Sequence, residues 1–273
     1  MKSWWLVFLF AMTAGSHAIF GQGASDPMAR FHTDLGEIDV ELLQNVSPNT
    51  VANFLRYVNR GAYDNSFIHR SVPSFVIQGG GYKFANMQVV SIAQDPPVAN
   101  EFGVSNTRGT LAMAKLANNP DSATNQWFFN ESDSNAANLD TQNGGFTVFG
   151  RIINNSGLVA MDAINAVPIY NMGSPFDSIP LLNYTGGAVK QVNFVHVIWI
   201  KTFPLILAIT HPAVHTIHLQ GRGVANNTYK VQTSLTPSAG FTNLVSVTAD
   251  SAGNISYNDT SPGTTKFYRL AIP

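Results

Sequence analysis

Between residues 74 and 153 the apolar residues of this chain come in short runs, SFVIQGGG, GTLAMA, QWFFN and FTVFGRII, separated by glycine- and asparagine-rich breaks. Runs of that length suit strands and fall short of the roughly 10 residues that a helix needs to bury a face. Around them the same grammar continues. From Ala29, ARFHTDLGEIDVELL has two alternating halves about Asp34-Leu35-Gly36, the pattern of strand, tight turn, strand, and NFVHVIWI at 193–200 reads as a last strand. Helical spacing occurs in two places. After Ser47-Pro48-Asn49-Thr50, the residues Val51, Phe54, Leu55 and Val58 share a helix face, with Pro48 in the first turn and Gly61 as a stop. LVAMDAINAV at 158–167 is the second. Many strands with two helices over residues 28–201 predict a mainly β fold, a closed antiparallel barrel capped by two helices.

Past Thr202 helical periodicity ends. TIHLQG, TYKVQTS, LVSVTAD, ISYNDT and FYRLAIP alternate with Gly, Asn, Ser and Pro, which predicts a small all-β, sandwich-like module over 211–273. Residues 202–210 are either a linker or the first strand of that module. At the other end a single Lys2, the apolar run WWLVFLFAMTA at 4–14 and small residues at Ser16 and Ala18 have the form of a secretory signal, 1–18, followed by a Gly/Ser leader, 19–27. The run is shorter than the roughly 20 apolar residues of a membrane span. The expectation is an exported chain, periplasmic or secreted, with no stable membrane insertion once the signal is cleaved.

Composition narrows the chemistry. With 15 Lys plus Arg against 16 Asp plus Glu, a net charge of −1 and 11% charged residues, the chain lacks the basic footprint of nucleic-acid binding. The absence of cysteine removes thiol nucleophiles, disulfides and thiolate metal sites. His211, His215 and His218 in THPAVHTIHL are spaced like helical metal ligands, but Pro212 and the strand-rich context oppose a helix, so no metal site is expected. The run Gly79-Gly80-Gly81 lacks the lysine of a phosphate loop and reads as a tight turn. Asn130, Asn183 and Asn254 head Asn-x-Ser/Thr sequons.

The residues that carry chemistry lie in FIHRSVPSFVIQGGG (67–81), in GTLAMA with NQWFFN, and in NLDTQNGGFTVFGRI (138–152). Arg70 and Gln78 share a strand face if no bulge intervenes, and Phe75 sits between them. On spacing alone this is equally an arginine in a surface pair, a core phenylalanine and a rim glutamine. The three blocks, in this order, resemble the cyclophilin family of peptidyl-prolyl cis-trans isomerases. Its Phe-His-Arg, Phe, Gln-Gly-Gly signature stands here as Ile68-His69-Arg70, Phe75 and Gln78-Gly79-Gly80. Met113-Ala114 with Gln126-Trp127-Phe128 form the second block, and Leu139-Asp140 with Val148-Phe149-Gly150 the third.

The resemblance implies the family's barrel over 28–201 and isomerisation of X-Pro bonds without cofactor or metal. It implies Arg70 as the catalytic guanidinium, with Phe75, Phe128 and Leu139 flooring a proline pocket. Gln78 and Gln126 would hold the substrate backbone, Ala114 and the Lys115 main chain would line the groove, and His69 would shape it. Proline-containing polypeptides are the implied partners. Two positions depart from the family pattern: Asn138 replaces a tryptophan, and Phe146 replaces a histidine in the groove wall. The TQNGG segment before Phe146 resembles the exported bacterial branch. The competing reading is a scaffold that holds Pro-containing segments without turnover and is localised by its tail. The tail itself resembles C-terminal β-domains of exported bacterial proteins, which suggests a spacer or contact with glycans or the cell envelope.

Overall fold

A computed structural model of the chain describes residues 27–203, 206–213, 216–223, 228–236, 240–250, 254–260 and 266–271. The expected signal, 1–18, and all of the leader but Pro27 lie outside the described residues. The chain divides into two compact units, Met28–Thr202 and one that holds Phe203–Pro273.

The first unit runs β1 (Met28–Thr33), β2 (Gly36–Leu42), α1 (Pro48–Asn59), β3 (Ser66–Phe67), β4 (Arg70–Val72), β5 (Val76–Gly79), β6 (Tyr82–Ala85), β7 (Gln88–Ser91), β8 (Thr110–Met113), β9 (Trp127–Asn130), α2 (Ala136–Leu139), β10 (Val148–Ile152), α3 (Asn155–Asn165), β11 (Ile169–Tyr170), β12 (Ile179–Pro180) and β13 (His196–Phe203). Eleven of these strands form one sheet in the order β4-β5-β9-β8-β10-β2-β1-β13-β3-β6-β7. The strand at one end, β4, follows β3 in the chain after only Ile68 and His69. The Ile68 N–H donates to the Val195 carbonyl (3.0 Å) and the His69 N–H to the Gln78 carbonyl (3.1 Å). One bent stretch, 66–72, therefore pairs with β13 through its first half and with β5 through its second. The expected barrel is a curled sheet that closes through this bend.

Its interior is aromatic. Phe31, Phe54, Tyr57, Tyr63, Trp127, Phe129 and Phe149 are all buried, with Phe31 5.0 Å from Trp127 and Phe54 5.1 Å from Phe149 between ring centroids. The hairpin β1–β2 delivers part of this core as the alternation predicts, through the opposed pairs Ala29/Val40 and Phe31/Ile38. Helix α1 buries Val51, Phe54, Tyr57 and Val58, while Leu55 of the expected stripe is only half-buried. Its N-terminus is capped from afar. Ser47 turns its hydroxyl to the Leu43 and Val148 carbonyls, and the Glu101 carboxylate instead accepts the Asn49 and Thr50 N–H groups at 3.1 and 2.8 Å. Burial pushes the Glu101 pKa up, but the hydrogen bonds from Thr50 and Asn49 outweigh it and hold the carboxyl below its ordinary value.

Three boundaries move from their expected places. Helix α3 starts at Asn155, not 158, because the Asn154 side chain accepts the Gly157 N–H at 2.7 Å. The last strand begins at His196, not 193, because Asn193 closes a single turn, accepting the Lys190 N–H (2.9 Å) and donating to the Leu182 carbonyl (2.8 Å). It then runs on through Phe203, past the expected strand end at 200. Helix α2, a single turn, was not expected at all.

The second unit has β14 (Ile206–Ala213), β15 (Thr216–Arg222), β16 (Thr228–Ser234), β17 (Thr242–Thr248), β18 (Asn254–Asp259) and β19 (Phe267–Ala271). They form two three-stranded sheets, β14-β15-β18 and β17-β16-β19. Ile217, Leu219 and Ile255 of the first sheet share a core with Tyr229, Val231, Tyr268 and Leu270 of the second, a small sandwich. Within 202–210, β13 ends at Phe203 and β14 begins at Ile206. His215 and the His211 side chain lie outside the described residues, and His218 pairs through Nδ1 with Asn258 Oδ1. No group of three or more His, Asp or Glu suited to a metal ion occurs among the described residues, and none of their helices is long and apolar enough to cross a membrane.

Each unit has a core of its own, so residues 27–203, which include all of β13, are expected to fold alone. Scanning calorimetry should place their transition within about 3 °C of the matching transition of the whole chain.

Candidate active site

The site grows from strand alternation. Across β4, β5, β9 and β8, Arg70 stands opposite Gln78, Gln78 opposite Phe128, and Phe128 opposite Ala112. In the next row Gly79 faces Trp127 and Trp127 faces Met113. Successive residues point to opposite faces of a sheet. Trp127 and Phe129 therefore enter the barrel core, while Phe128 turns outward onto a second apolar cluster with Val76, Ala112, Leu139 and Val148. Phe75, Ala114 and Phe146 pack against that cluster from its edge.

Arg70 stands at the rim of this floor, half-buried, its Cζ 5.8 Å from the centre of the Phe75 ring. Burial pushes its pKa below the ordinary arginine value, without making it neutral at any relevant pH. Among the described residues its guanidinium has no hydrogen-bond or ion-pair partner. The other arginines of the first unit, Arg30, Arg56, Arg60, Arg108 and Arg151, are each ion-paired. Arg70 in a surface pair is thereby excluded.

Beside it Gln78 Nε2 donates to Gln126 Oε1 at 2.8 Å, and the Ala114 N–H donates to the Gln126 carbonyl at 2.9 Å. A cavity of about 140 Å³ opens here, lined by Gln78, Ala114, Lys115 and Gln126. His69 is buried behind Arg70, its Nδ1 without a hydrogen-bond partner and its ring edge-on to Tyr82 at 5.1 Å. Burial lowers its pKa to about 4, a hydrogen bond with the Gln126 side chain opposing and the Arg70 charge adding to the shift. It is a neutral wall.

The far wall comes from α2 and the loop after it. The Phe146 N–H donates to the Leu139 carbonyl at 2.8 Å, and Phe146 meets Phe128 edge-on at 5.8 Å. The Lys115 side chain does not reach into the groove. Its ammonium donates to the Asn143 and Gly145 carbonyls (2.8 and 2.6 Å) and lies 4.9 Å from the centre of the Phe146 ring. Asn138 is exposed.

Sequence reasoning missed what holds these walls. Asn106, Asn130 and Asn135 are buried in one chain of hydrogen bonds. Asn135 Nδ2 donates to the Phe75 carbonyl and to Asn130 Oδ1, both at 2.7 Å, and Asn130 Nδ2 to Asn106 Oδ1 at 3.2 Å. Asn106 Nδ2 in turn donates to Asp140 Oδ1 (2.9 Å) and to the Phe146 carbonyl (3.0 Å). Asparagines scattered over a loop, a strand and a turn carry no periodic signal. Asn130, read as a sequon, is fully buried. The glycine run is more than a turn: a Cβ on Gly79 would lie 2.6 Å from the Trp127 ring, and one on Gly80, at φ +80°, 2.5 Å from the Asn125 carbonyl oxygen. The backbone must pass this close for Trp127 to fill the barrel beneath Gln78.

The sheet thus carries its core on one face and an apolar groove on the other, rimmed by an unpaired guanidinium and two glutamines. Residues 28–185 match the family model described as cyclophilin type peptidyl-prolyl cis-trans isomerase/CLD. A peptidyl-prolyl cis-trans isomerase of Acinetobacter baylyi is 39% identical over 165 residues, 60% of this chain and 85% of its own. Peptidyl-prolyl cis-trans isomerase A of Dickeya dadantii is 34% identical over 173 residues, 63% of this chain and 82% of its own. A solved cyclophilin-type isomerase of Cryptosporidium parvum, in the presence of the dipeptide Ala-Pro, aligns with 65% of this chain and 99% of its own at 21% identity and a TM-score of 0.48. The chain belongs to the cyclophilin-type peptidyl-prolyl cis-trans isomerase family.

Two measurements probe the geometry. Gly80→Ala is expected to cost about 2 kcal/mol or more in urea denaturation, from the blocked φ and the clash together. His69 is neutral in both states above its ordinary pKa. As the pH falls from about 6.5 towards 4, the unfolded chain takes up a proton that the folded chain refuses, so stability is lost on acidification. The loss amounts to roughly 3 kcal/mol at most, and His69→Gln should flatten that part of the stability–pH curve.

Proposed function

We propose that this chain accelerates cis-trans isomerisation of X-Pro bonds in polypeptides that fold outside the cytoplasm. The observation that carries the reading is Arg70: a half-buried, unpaired guanidinium at the edge of an apolar floor. Rotation about the prolyl bond meets a barrier of about 18–20 kcal/mol because the nitrogen lone pair is delocalised into the carbonyl. In the twisted state that lone pair is localised on nitrogen and can accept a hydrogen bond. A proline ring seated on Phe75, Phe128 and Leu139, with Phe146 as the side wall, places its nitrogen within reach of the Arg70 N–H groups. Gln78 and Gln126 hold the neighbouring backbone while the preceding carbonyl turns.

The bond from Arg70 is made only in the twisted state, so it lowers the barrier rather than the ground state. A charge-assisted hydrogen bond is worth about 1.5–3 kcal/mol, a factor of roughly 10 to 100 in rate. His69, held neutral beside it, leaves the positive charge on Arg70 alone. Water is displaced from the apolar floor by the proline ring, which strengthens the same hydrogen bond. No proton is transferred and no covalent intermediate forms.

Lys2, the apolar run 4–14 and the small residues Ser16 and Ala18 support the exported setting. The sandwich of the second unit would be an accessory module for envelope or glycan contact. The cavity lined by Gln78, Ala114, Lys115 and Gln126 gives the substrate chain room beside the proline.

In a proline-limited refolding assay, where the uncatalysed step takes tens to hundreds of seconds, micromolar protein is expected to accelerate the slow phase. Arg70→Ala should lower the rate by about 10- to 100-fold while binding of a Pro-peptide is retained. Binding by the unaltered chain with no exchange in NMR would make it a scaffold instead. Fractionation of cells expressing the full chain, with N-terminal sequencing of the product, checks cleavage after Ala18.

A further inference from the structure

The second unit carries a built polar face that the isomerase groove does not use. In β16, Tyr229 and Val231 point into the sandwich core, so Lys230 and Gln232 point the other way. β16 is the middle strand of its sheet. Gln232 stands opposite Asn243 of β17 on one side and Arg269 of β19 on the other. A bulge makes this possible. Val231 pairs with Val245 but Gln232 with Asn243, so Leu244 is passed over and an amide, not a leucine, comes level with Gln232.

The three polar side chains form one ladder. Arg269 Nε donates to Gln232 Oε1 at 2.6 Å, and Gln232 Nε2 donates to Asn243 Oδ1 at 2.7 Å. A guanidinium can only donate, so Arg269 fixes the orientation of both amides and each turns its oxygen inward along the ladder. The guanidinium Cζ also lies 4.3 Å from the centre of the Phe241 ring. Held by the amide and the ring, Arg269 keeps both Nη groups without an acceptor among the described residues. Burial pushes its pKa below the ordinary arginine value, yet it stays charged. Lys230 stands opposite Ser246 and Ala271, about 7 Å farther along the strands than Arg269, and has no ion-pair partner among the described residues.

Charge balance points the same way. Residues 203–273 hold four Lys or Arg and two acidic residues, Asp250 and Asp259. Asp259 is buried and accepts from Lys266 and Tyr268, and Asp250 accepts the N–H and Nδ2 of Asn254. Thr228 and Thr248, their hydroxyls 2.9 Å apart, and exposed Ser246 continue the polar row.

We infer that this face binds an anionic polysaccharide, with one carboxylate or sulfate on the Arg269 fork and another reaching Lys230. The inference rests on the reading of the second unit as a contact module and names its ligand. Two free N–H groups on one planar fork match the paired oxygens of such a group, and the unused N–H groups of Gln232 and Asn243 are left for sugar oxygens. A lipid surface fits poorly, because the row Thr228, Lys230, Gln232, Ser246 and Thr248 has no apolar side chain to insert. Nucleic acid fits poorly, because two cations neutralise few phosphates.

The test is titration of the isotope-labelled full chain with hexagalacturonate, its methyl ester and sulfated maltohexaose, followed by amide NMR. Saturable shifts at residues 232, 243, 246 and 269 are expected with one or both charged sugars and not with the ester. Shifts with hexagalacturonate alone assign a carboxylate ligand, and shifts with the sulfated sugar alone assign a sulfate. Arg269→Gln should weaken binding about tenfold or more, with X-Pro isomerisation unchanged. Lys230→Gln, which leaves the ladder whole, should weaken it by a smaller factor. Equal binding of the ester, equal binding to phosphatidylglycerol vesicles, or an affinity unchanged in both variants would overturn the inference. Sedimentation with a cell-envelope fraction separates the two readings. Equal retention of the parent and Arg269→Gln would leave the contact module standing and remove this face from it, whereas a chain that binds neither envelope nor any sugar would sink both.

Discussion

Trp127 and Phe128 are neighbours on one short strand and face opposite ways, and most of the structure follows from that. The period of two puts the indole among Phe31, Tyr63 and Phe129 inside the barrel and the phenyl ring outside it on the floor of the groove. One sheet therefore carries its core and its binding surface back to back. The floor is as rigid as the core, because it is the other side of the same backbone. A slip of one residue in β9 would exchange the two rings and destroy both. The glycine run opposite protects the register: only a backbone without side chains lets β5 lie against the indole closely enough to hold Gln78 beside Phe128.

Electrostatics complete what packing begins. A charge without a partner is costly wherever solvent is partly excluded, and five of the six arginines in the first unit avoid the cost by ion pairing. Arg70 does not. Its stem is fixed in a ladder with Gln78, the Phe75 ring stands near its head, and His69 behind it is too buried to take a proton near neutral pH. The Arg70 charge at the groove edge is thus held in place by backbone pairing rather than by a carboxylate that would have to be displaced when substrate arrives.

Much of this was legible in the sequence, and what was not has identifiable causes. Arg70, Gln78 and Phe128 lie on paired strands, and Phe75 and Gln126 stand one residue before β5 and β9, where alternation and turn residues can be read locally. The expectation that Arg70 and Gln78 share a face holds because the hairpin pairs them directly. Leu139 was placed by resemblance alone, since a single helical turn has no period to detect. The cap on α1 comes from Glu101, some fifty residues away, and no local pattern announces it. The start of β13 slipped because the apolar run from Phe194 onward reads as strand and took Asn193 with it, whereas the Asn193 side chain is better satisfied closing a turn. Lys115 was expected to contribute main chain, and its side chain turned out to bind the opposite loop. Long-range polar contacts of this kind are invisible until the fold has brought the partners together.

The two departures from the family pattern can be understood as one exchange of material in the groove wall. Asn138, where the family has tryptophan, is exposed and leaves the rim of α2 open to solvent. Phe146, where the family has histidine, fills in from the other side, edge-on to Phe128 and bonded through its N–H to the Leu139 carbonyl. An aromatic ring carried on a loop is a useful wall only if the loop is fixed. Lys115 fixes it with two hydrogen bonds to loop carbonyls and its charge over the Phe146 ring, and Asn106 fixes it again through the Phe146 carbonyl. Desolvation in that position pushes the Lys115 pKa below its ordinary value, the Asp121 carboxylate opposing. The ammonium's hydrogen bonds to the Asn143 and Gly145 carbonyls offset that penalty. The loop thus supplies an apolar wall beside the exposed rim of α2, and Lys115 holds that loop in place.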